Sequence, residues 1–375
     1  MKKILIVVPS LGIGGREKIA VNMSDCLKSN NDVKIVVFQS NEQEYTTACN
    51  VINIDVPVVQ GRLKKYFTQL KRAKRLKKII KAENADIVFS LGNTANITNA
   101  LVKTTKKTKK IVAIHGFAEV KKNKINSFIF KKADKIVTIS QEMQHRLLQI
   151  YPKLNNTAVI ENGYKIIDNI DTNNHIYNPE IPKFVSMGRL DKVKGFDRLL
   201  KSFAIIVKAI PKAHLSIIGY GPEKENLINL ANSLGLKDNV EFLGYCTEPL
   251  PLLALNDIYL LTSRNEGFPN CLIEALNCGL AVVAVDCLSG PKEILSEKYD
   301  IKPVEGIYFE KYGVLVENYS DESKMVEDFA HAVIELANSE SRLLQYKNSG
   351  KVRANNFSLE VFKGKLNNLF GEVLR

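Results

Sequence analysis

The sequence predicts an α/β protein built as two Rossmann-like, doubly wound parallel-sheet domains. Three observations predict it. Short apolar runs alternate with longer amphipathic stretches through both halves of the chain, the pattern of buried parallel strands joined by helices. At 375 residues the chain exceeds what one ordinary core fills, and two domains account for the length. Between the halves, residues 165–182, KIIDNIDTNNHIYNPEIP, lose periodicity and are rich in Asn, Asp and Pro, the texture of a linker. The expected division is 1–168, a linker at 169–182, and 183–357, with a C-terminal helix, 358–375, packing back on the first domain.

In the first half, ILIVVP (4–9) reads as a buried strand, followed by Gly12, Gly14 and Gly15 and a helix from about Arg16 to Lys28. A strand, glycine loop and helix offer backbone amides to an anion. The spacing is not GxGxxG, and no acidic residue ends the second strand, VKIVVF, so a dinucleotide site is not indicated. From Arg62 to Lys81, apolar residues at 63, 66, 67, 70, 73, 76, 79 and 80 predict a helix with one apolar stripe, nearly everything else being Lys or Arg. Its stripe is expected on the sheet and its basic face toward anionic headgroups. Strands follow at ADIVFSLG, KIVAIHG and ADKIVTIS, the last with a helix after it, and then at TAVIENGY. His115 ends its strand and so falls at the carboxyl edge of the sheet beside the glycine loop; the other four histidines have no such placement.

The second half alternates more cleanly. Strand KFVSMGRL leads to a helix from about 195 to 210, HLSIIG to one from 222 to 234, and VEFLGY to one near 248–255. IYLLTS, AVVAVD and GVLV are further strands, with helices starting at Pro269, Pro291 and about Asp321. The final helix begins at Ser358, a good N-cap, and carries Leu359, Phe362, Leu366, Leu369 and Phe370 on one face.

The chain has 53 basic and 40 acidic side chains, and they are unevenly placed. Met1–Asp168 holds 30 basic and 13 acidic residues, a net +17, and the remainder 23 and 27, a net −4. A cationic first half suits an anionic partner such as a phospholipid surface or a lipid pyrophosphate. No recognised nucleic-acid motif accompanies it. The six cysteines form no CxxC pair and read as reduced, mostly buried thiols of a cytosolic protein. The apolar start is too short and too soon followed by glycines for a signal peptide, and no run of 18 apolar residues spans a membrane.

The densest chemistry lies in RNEGFPNCLIE, Arg264 to Glu274. Pro269 suits the first position of a helix, and Gly279 suits its end. Glu266 then stands in the loop ahead of the helix and Glu274 inside it, with the amides of Asn270, Cys271 and Leu272 expected to point outward at an anion. In GRLDKVKGF, Arg189 and Lys194 are held around a turn ending at Gly195, a site for a diphosphate that requires no metal. A second glycine loop, Gly219-Tyr220-Gly221, ends at the same expected sheet edge. Paired carboxylates also serve glycosidases, but a glycosidase has no use for a diphosphate clamp.

GRLDKVKGF, IIGYGPE, VEFLGY and RNEGFPNCLIEALNCGLAVVAVD, in this order and spacing, resemble the retaining glycosyltransferases of family 4. The resemblance spans nearly all of residues 1–340 and is strongest over 184–295. It implies the GT-B fold, two Rossmann-like domains facing across a cleft, and a nucleotide-sugar donor, UDP-linked by preference, with neither cofactor nor metal. By the same resemblance, Arg189 and Lys194 bind the donor diphosphate, and Glu274 takes the ribose hydroxyls. Glu266 lies by the donor sugar, and Gly188 and Phe268 belong to the same donor-binding set. The amides of Asn270, Cys271 and Leu272 meet sugar and phosphate oxygens, and the backbone at Leu243 and Gly244 holds the base. Gly14 and Gly15 give close passage to phosphates and acceptor, and His115 contacts the sugar. Many members carry Gly where this chain has Pro269.

The reading expected on this basis is a retaining hexosyltransferase or N-acetylhexosaminyltransferase at the cytoplasmic face of a membrane. Its acceptor would be a lipid-pyrophosphate-linked or growing glycan, as in capsule, lipopolysaccharide or oligosaccharide assembly. A nucleotide-sugar epimerase on the same fold and a non-catalytic binder of anionic polymers are the alternatives.

Overall fold

The structure is a computed structural model that describes residues 1–12, 14–40, 45–57, 59, 61–105, 107–167 and 177–375, without the side chains of Arg62 and Leu63. The linker expected at 169–182 lies largely outside the described residues. The chain forms two compact units, Met1–Lys165 with Phe357–Arg375, and Ile166–Asn356.

The first unit holds a seven-stranded sheet of β1 (Lys2–Val8), β2 (Asn31–Val37), β3 (Asn50–Asn53), β4 (Ile87–Leu91), β5 (Lys109–Ile114), β6 (Lys135–Thr138) and β7 (Thr157–Val159). Their spatial order is β3-β2-β1-β4-β5-β6-β7, all parallel. Order reverses between β1 and β4, which pair through Ile4↔Ile87 and Val7↔Ser90. The loops after these two strands therefore diverge and leave a crevice at their carboxyl ends. Leu5, Val7 and Val88 meet Ala73, Leu76, Ala95 and Val102 on one face of the sheet. Side chains alternate along a strand, so Phe89 points to the other face, where its ring packs edge-on against Phe370 at 6.3 Å. The C-terminal helix, Leu359–Leu374, buries Phe362, Leu366, Leu369 and Phe370 there, while Leu359 is half-buried.

The second unit repeats the plan with β8 (Lys183–Met187), β9 (His214–Ile218), β10 (Val240–Gly244), β11 (Ile258–Leu261), β12 (Ala281–Val285), β13 (Ile307–Phe309) and β14 (Val314–Val316). The order is β10-β9-β8-β11-β12-β14-β13, parallel except for the β13/β14 hairpin. Here the reversal falls between β8 and β11, which pair only through Ile258↔Phe184 and Tyr259↔Val185 and then part. The buried Tyr259 hydroxyl fills the gap, donating to the Met187 carbonyl at 3.0 Å and accepting its N–H at 3.1 Å. Tyr259→Phe strands both backbone groups. It is expected to cost about 1–3 kcal/mol, read as a lower melting temperature of the second unit; an unchanged transition would contradict that role.

Several expectations change. The basic helix runs Arg62–Glu83 and has two faces rather than one stripe. At about 100° per residue, Phe67 and Leu76 point to opposite sides; Leu76 is buried and Phe67 is 63% exposed. Tyr66 and Leu70 are also exposed, so the inner face is made by Arg72, Ala73, Leu76 and Ile80. TAVIENGY forms only a three-residue strand, and beyond it Gly163 lies against Phe362, whose ring a Cβ would meet at 2.5 Å. The helix near 248–255 contracts to Leu250–Ala254. Only three of the six free cysteines, at 271, 278 and 287, are buried. The strands β3 and β13 and the helices Asn93–Leu101, Lys124–Lys132 and Glu340–Ala354 add to the expected set. Among the described residues no helix is long and apolar enough to cross a membrane.

Candidate functional site

The second unit concentrates its chemistry between the loops that leave β8 and β11, where strand order reverses. Lys194 Nζ donates to both oxygens of Glu266, at 2.7 and 2.8 Å, and Ser263 Oγ donates to Glu266 Oε1 at 2.6 Å. The Glu266 side chain is 7% exposed, so this is an ion pair shut away from water except on the lysine side. Burial alone pushes the Lys194 ammonium down, but the Glu266 carboxylate beside it holds it above its ordinary value. Lys194 therefore carries its charge at any physiological pH.

Glycines make this approach geometrically feasible. Gly195 has φ 66°, and a Cβ there would lie 2.1 Å from the Thr262 carbonyl. Thr262 Oγ1 in turn donates to Gly195 O at 2.9 Å, tying the two loops together. On the other flank, the Gly219 loop zips along the β8 loop through Leu190 N–H to Tyr220 O and Glu223 N–H to Leu190 O. Asp191 caps the turn by accepting the amides of Val193 and Lys194. Gly188 lies against the Lys194 stem, where a Cβ would be in ordinary contact at 3.7 Å.

Arg189 is placed apart from that pair. Its side chain is 69% exposed and both its Nε, at 2.7 Å, and its Nη2 meet Asp191 Oδ2. Leu243 is exposed and Gly244 takes φ 76° at an irregularity in the β9/β10 register, with its carbonyl accepting the Gly219 amide at 2.7 Å. Phe268 is buried, and Gly290 packs beneath it: a Cβ on Gly290 would sit 2.2 Å from Pro269 Cδ.

The helix after this loop is Asn270–Asn277, with Pro269 as its N-cap at ψ 94°, one position ahead of the expected placement. An extended ψ is ordinary for an N-cap residue. Contrary to expectation, the Leu272 N–H does not point outward to an anion: it is bonded to Pro269 O at 3.0 Å. Asn270 and Cys271 occupy the first two helical positions, and Cys271 is buried with its thiol pushed up to about 12 by burial despite Lys194. Glu274 is half-buried one turn on. The helix closes on Gly279, φ 72°, with Gly279 N–H to Leu276 O and Leu280 N–H to Ala275 O, a Schellman end.

A brace behind the site has no counterpart in the sequence reading. Arg264 forks onto Asp197, both bonds 2.7 Å, and reaches Glu322, which also receives Arg198 Nε at 3.2 Å. Hydrogen bonding to Asp197 leads the causes that raise the guanidinium above its ordinary value. The brace holds the β11 loop to the helix Phe196–Ala209 that starts beside Lys194.

In the first unit, the β1/β4 reversal gathers a second polar group. Gly14 caps the helix Gly15–Leu27. Arg16 Nη2 donates to Glu17 at 2.6 Å, and its Nη1 lies across Gly92, where a Cβ would be 2.5 Å away. His115 follows β5; its amide donates to Glu119 Oε1 at 3.1 Å, and its buried Nε2 has no hydrogen-bond partner among the described residues. Burial, then the Arg16 charge, pushes the imidazole down to about 3, so His115 is neutral at physiological pH. Glu119, which also accepts Asn96 Nδ2 at 3.3 Å, is pushed up to about 7, chiefly by burial.

A raised carboxyl pKa means the folded state prefers the proton. The associated stability is present below about pH 4.5 and is lost as pH rises through about 7. Glu119→Gln is expected to flatten this fall, read from the melting temperature of the first unit across that window. A slope equal to that of the unsubstituted protein would contradict it.

With this geometry in place, comparison with known proteins identifies the lineage. Residues 169–353 match the glycosyl transferases of group 1, and residues 13–166 match glycosyltransferase family 4. An uncharacterized glycosyltransferase of Methanocaldococcus jannaschii is 30% identical over 334 residues, covering 78% of this chain and 81% of that protein. A second relative is the N-acetylgalactosamine-N,N'-diacetylbacillosaminyl-diphospho-undecaprenol 4-alpha-N-acetylgalactosaminyltransferase of Campylobacter jejuni, 26% identical over 393 residues. That alignment covers 99% of this chain and all of the relative. Among solved structures, Anabaena HepE in complex with UDP and glucose superposes with a TM-score of 0.75 at 17% identity, over 99% of this chain and 100% of that one. The chain belongs to glycosyltransferase family 4 and has the GT-B fold.

Proposed function

We propose that this family 4 glycosyltransferase moves a hexose or N-acetylhexosamine from a UDP-linked donor to a lipid-pyrophosphate-linked or growing glycan. The transfer retains anomeric configuration and uses no metal ion or cofactor. The setting proposed is cell-surface polysaccharide, capsule, lipopolysaccharide or oligosaccharide assembly on the cytoplasmic face of a membrane, to which the basic first unit binds. The observation that carries the donor assignment is the shielded Lys194–Glu266 pair at the strand reversal of the second unit. A fixed cation at the carboxyl edge of a parallel sheet is suited to a diphosphate. The C. jejuni relative's diphospho-undecaprenol acceptor and the UDP bound to HepE support the choice of acceptor and donor.

In this proposal the bond between the sugar C1 and the diphosphate oxygen breaks while C1 bonds to the acceptor oxygen on the same face. The acceptor proton passes to a phosphate oxygen of the leaving UDP. Negative charge therefore grows on the diphosphate, and Lys194, Arg189 and the helix-start amides stabilise it more in the transition state than in the bound donor. Glu266 already accepts three hydrogen bonds from Lys194 and Ser263. Its oxygens are committed to those donors, which fits a role in fixing Lys194 beside the sugar rather than attack on C1. Glu274 holds the ribose, and Leu243 and Gly244 the base.

The test is UDP release from a panel of UDP-sugars with and without a lipid-linked glycan extract, with the product's anomeric proton read by NMR. Acceptor-dependent release and an α product from an α donor are expected. Release without acceptor, interconversion of donor sugars, or a β product would each overturn the proposal.

A further inference from the structure

The helix Arg62–Glu83 turns its first two exposed turns outward with Tyr66, Phe67 and Leu70, beside Lys64, Lys65, Lys71 and Lys74, all exposed. Tyr66 and Phe67 stack edge-on at 5.8 Å. The helix Lys124–Lys132 does the same with Ile125 and Phe128, and a shallow groove of about 550 Å³ at its start is lined by Lys122, Asn123, Lys124, Ser127, Phe128 and Lys131. Both helices pack against the helix Asn93–Leu101 between them, on one side of the first sheet. Each follows the carboxyl end of its strand, β3 or β5, so their first turns lie toward the same edge of that sheet. Neither 61–82 nor 120–133 contains an Asp or Glu.

Single exposed apolar residues are ordinary on a protein surface. Five of them on two helices of one sheet face, ringed by lysines with no acid among them, are matched to a surface that is apolar beneath and anionic above. We propose that these two helix faces form one seat for an anionic lipid bilayer. Phe67, Leu70, Ile125 and Phe128 enter the boundary between headgroups and acyl chains, and the lysines extend to headgroup phosphates. The inference rests on the reading of a lipid-linked acceptor for its purpose, and it specifies which surface of the first unit meets the membrane.

The chain contains no tryptophan, so Phe67→Trp and Phe128→Trp each create a single reporter in the full chain. Val361→Trp, on the exposed side of the helix packed against the opposite sheet face, is the control. With phosphatidylcholine vesicles holding roughly a third phosphatidylglycerol with brominated chains, at about 0.1 M salt, emission at positions 67 and 128 should shift blue and fall by about two-fold or more. Position 361 should not respond, and vesicles of phosphatidylcholine alone should leave all three unchanged. Phe67→Ser with Leu70→Ser, which keeps every charge, should lower partitioning by about ten-fold or more and leave UDP release with a water-soluble acceptor unchanged. Retention without quenching at 67, equal quenching at 361, or vesicle binding that survives the double substitution overturns the seat; so does binding to an oligonucleotide in preference to vesicles. Insertion without UDP release would instead overturn the catalytic reading and leave the seat standing.

Discussion

Lys194→Met is expected to lower kcat/KM for UDP-sugar transfer by about 10³-fold or more, because it removes the shielded cation of the proposed donor site. Loss of a single preorganised donor to a developing negative charge costs about 10²–10³ in rate, and here the lost group carries a full charge. The same change leaves the Glu266 carboxylate buried with Ser263 as its remaining partner among the bonds described above. Breaking a buried pair from one side costs about 3–5 kcal/mol, so the variant should also melt earlier. The two effects separate in Lys194→Met with Glu266→Gln. Neutralising the stranded carboxylate should restore much of the stability, while transfer stays lost because the cation is still missing. Steady-state kinetics and thermal melts of the three proteins decide this; recovery of activity in the double variant would show that Lys194 serves only to hold the fold.

Gly195→Ala is expected to destabilise the second unit by about 3–5 kcal/mol. The residue occupies the left-handed region, and its new Cβ would lie 2.1 Å from a backbone oxygen, that of Thr262, which no rotamer change can move aside. The β8 and β11 loops would have to separate, and Lys194 would leave Glu266. Gly364→Ala is the matched control, since a Cβ there meets nothing within 4 Å, and removing a helical glycine should stabilise by about 0.5–1 kcal/mol. Urea unfolding followed by a probe in each unit reads both. Equal midpoints for the Gly195 variant and the unsubstituted protein would contradict the close approach of the loops.

The legible parts of this chain are those whose physics is local. Apolar runs such as IVFSL and AVVAV are buried strands whatever surrounds them. Gly279 ends its helix because only the adjacent backbone decides it, and His115 lies at a sheet edge because its strand stops one residue earlier. Lys194 and Glu266 were legible as chemistry, but their bond, across 72 positions, was not. What stayed hidden is assembled by topology. Arg264, Asp197, Arg198 and Glu322 come together only once the sheet is wound. Arg16, Asn96, Glu119 and His115 form one group because β1, β4 and β5 are neighbours in space, not in sequence. The short strand NVIN pairs along one edge only, and its two apolar residues, Val51 and Ile52, are too few to show an apolar run or an alternation. In the basic helix, counting apolar positions merged two faces, because the run 67, 70, 73, 76 and 79 advances by three residues each time and so drifts by about 60° per step around the helix.

The proposed transfer requires that the Lys194 site hold the donor diphosphate. Calorimetric titration of UDP into the full chain, without acceptor, measures this most directly. The expected result is one UDP bound per chain, with affinity lowered by about 30-fold or more in Lys194→Met, the loss of a charge-assisted contact worth about 2 kcal/mol or more. Absence of UDP binding to the unsubstituted protein, or undiminished binding in the variant, would contradict it.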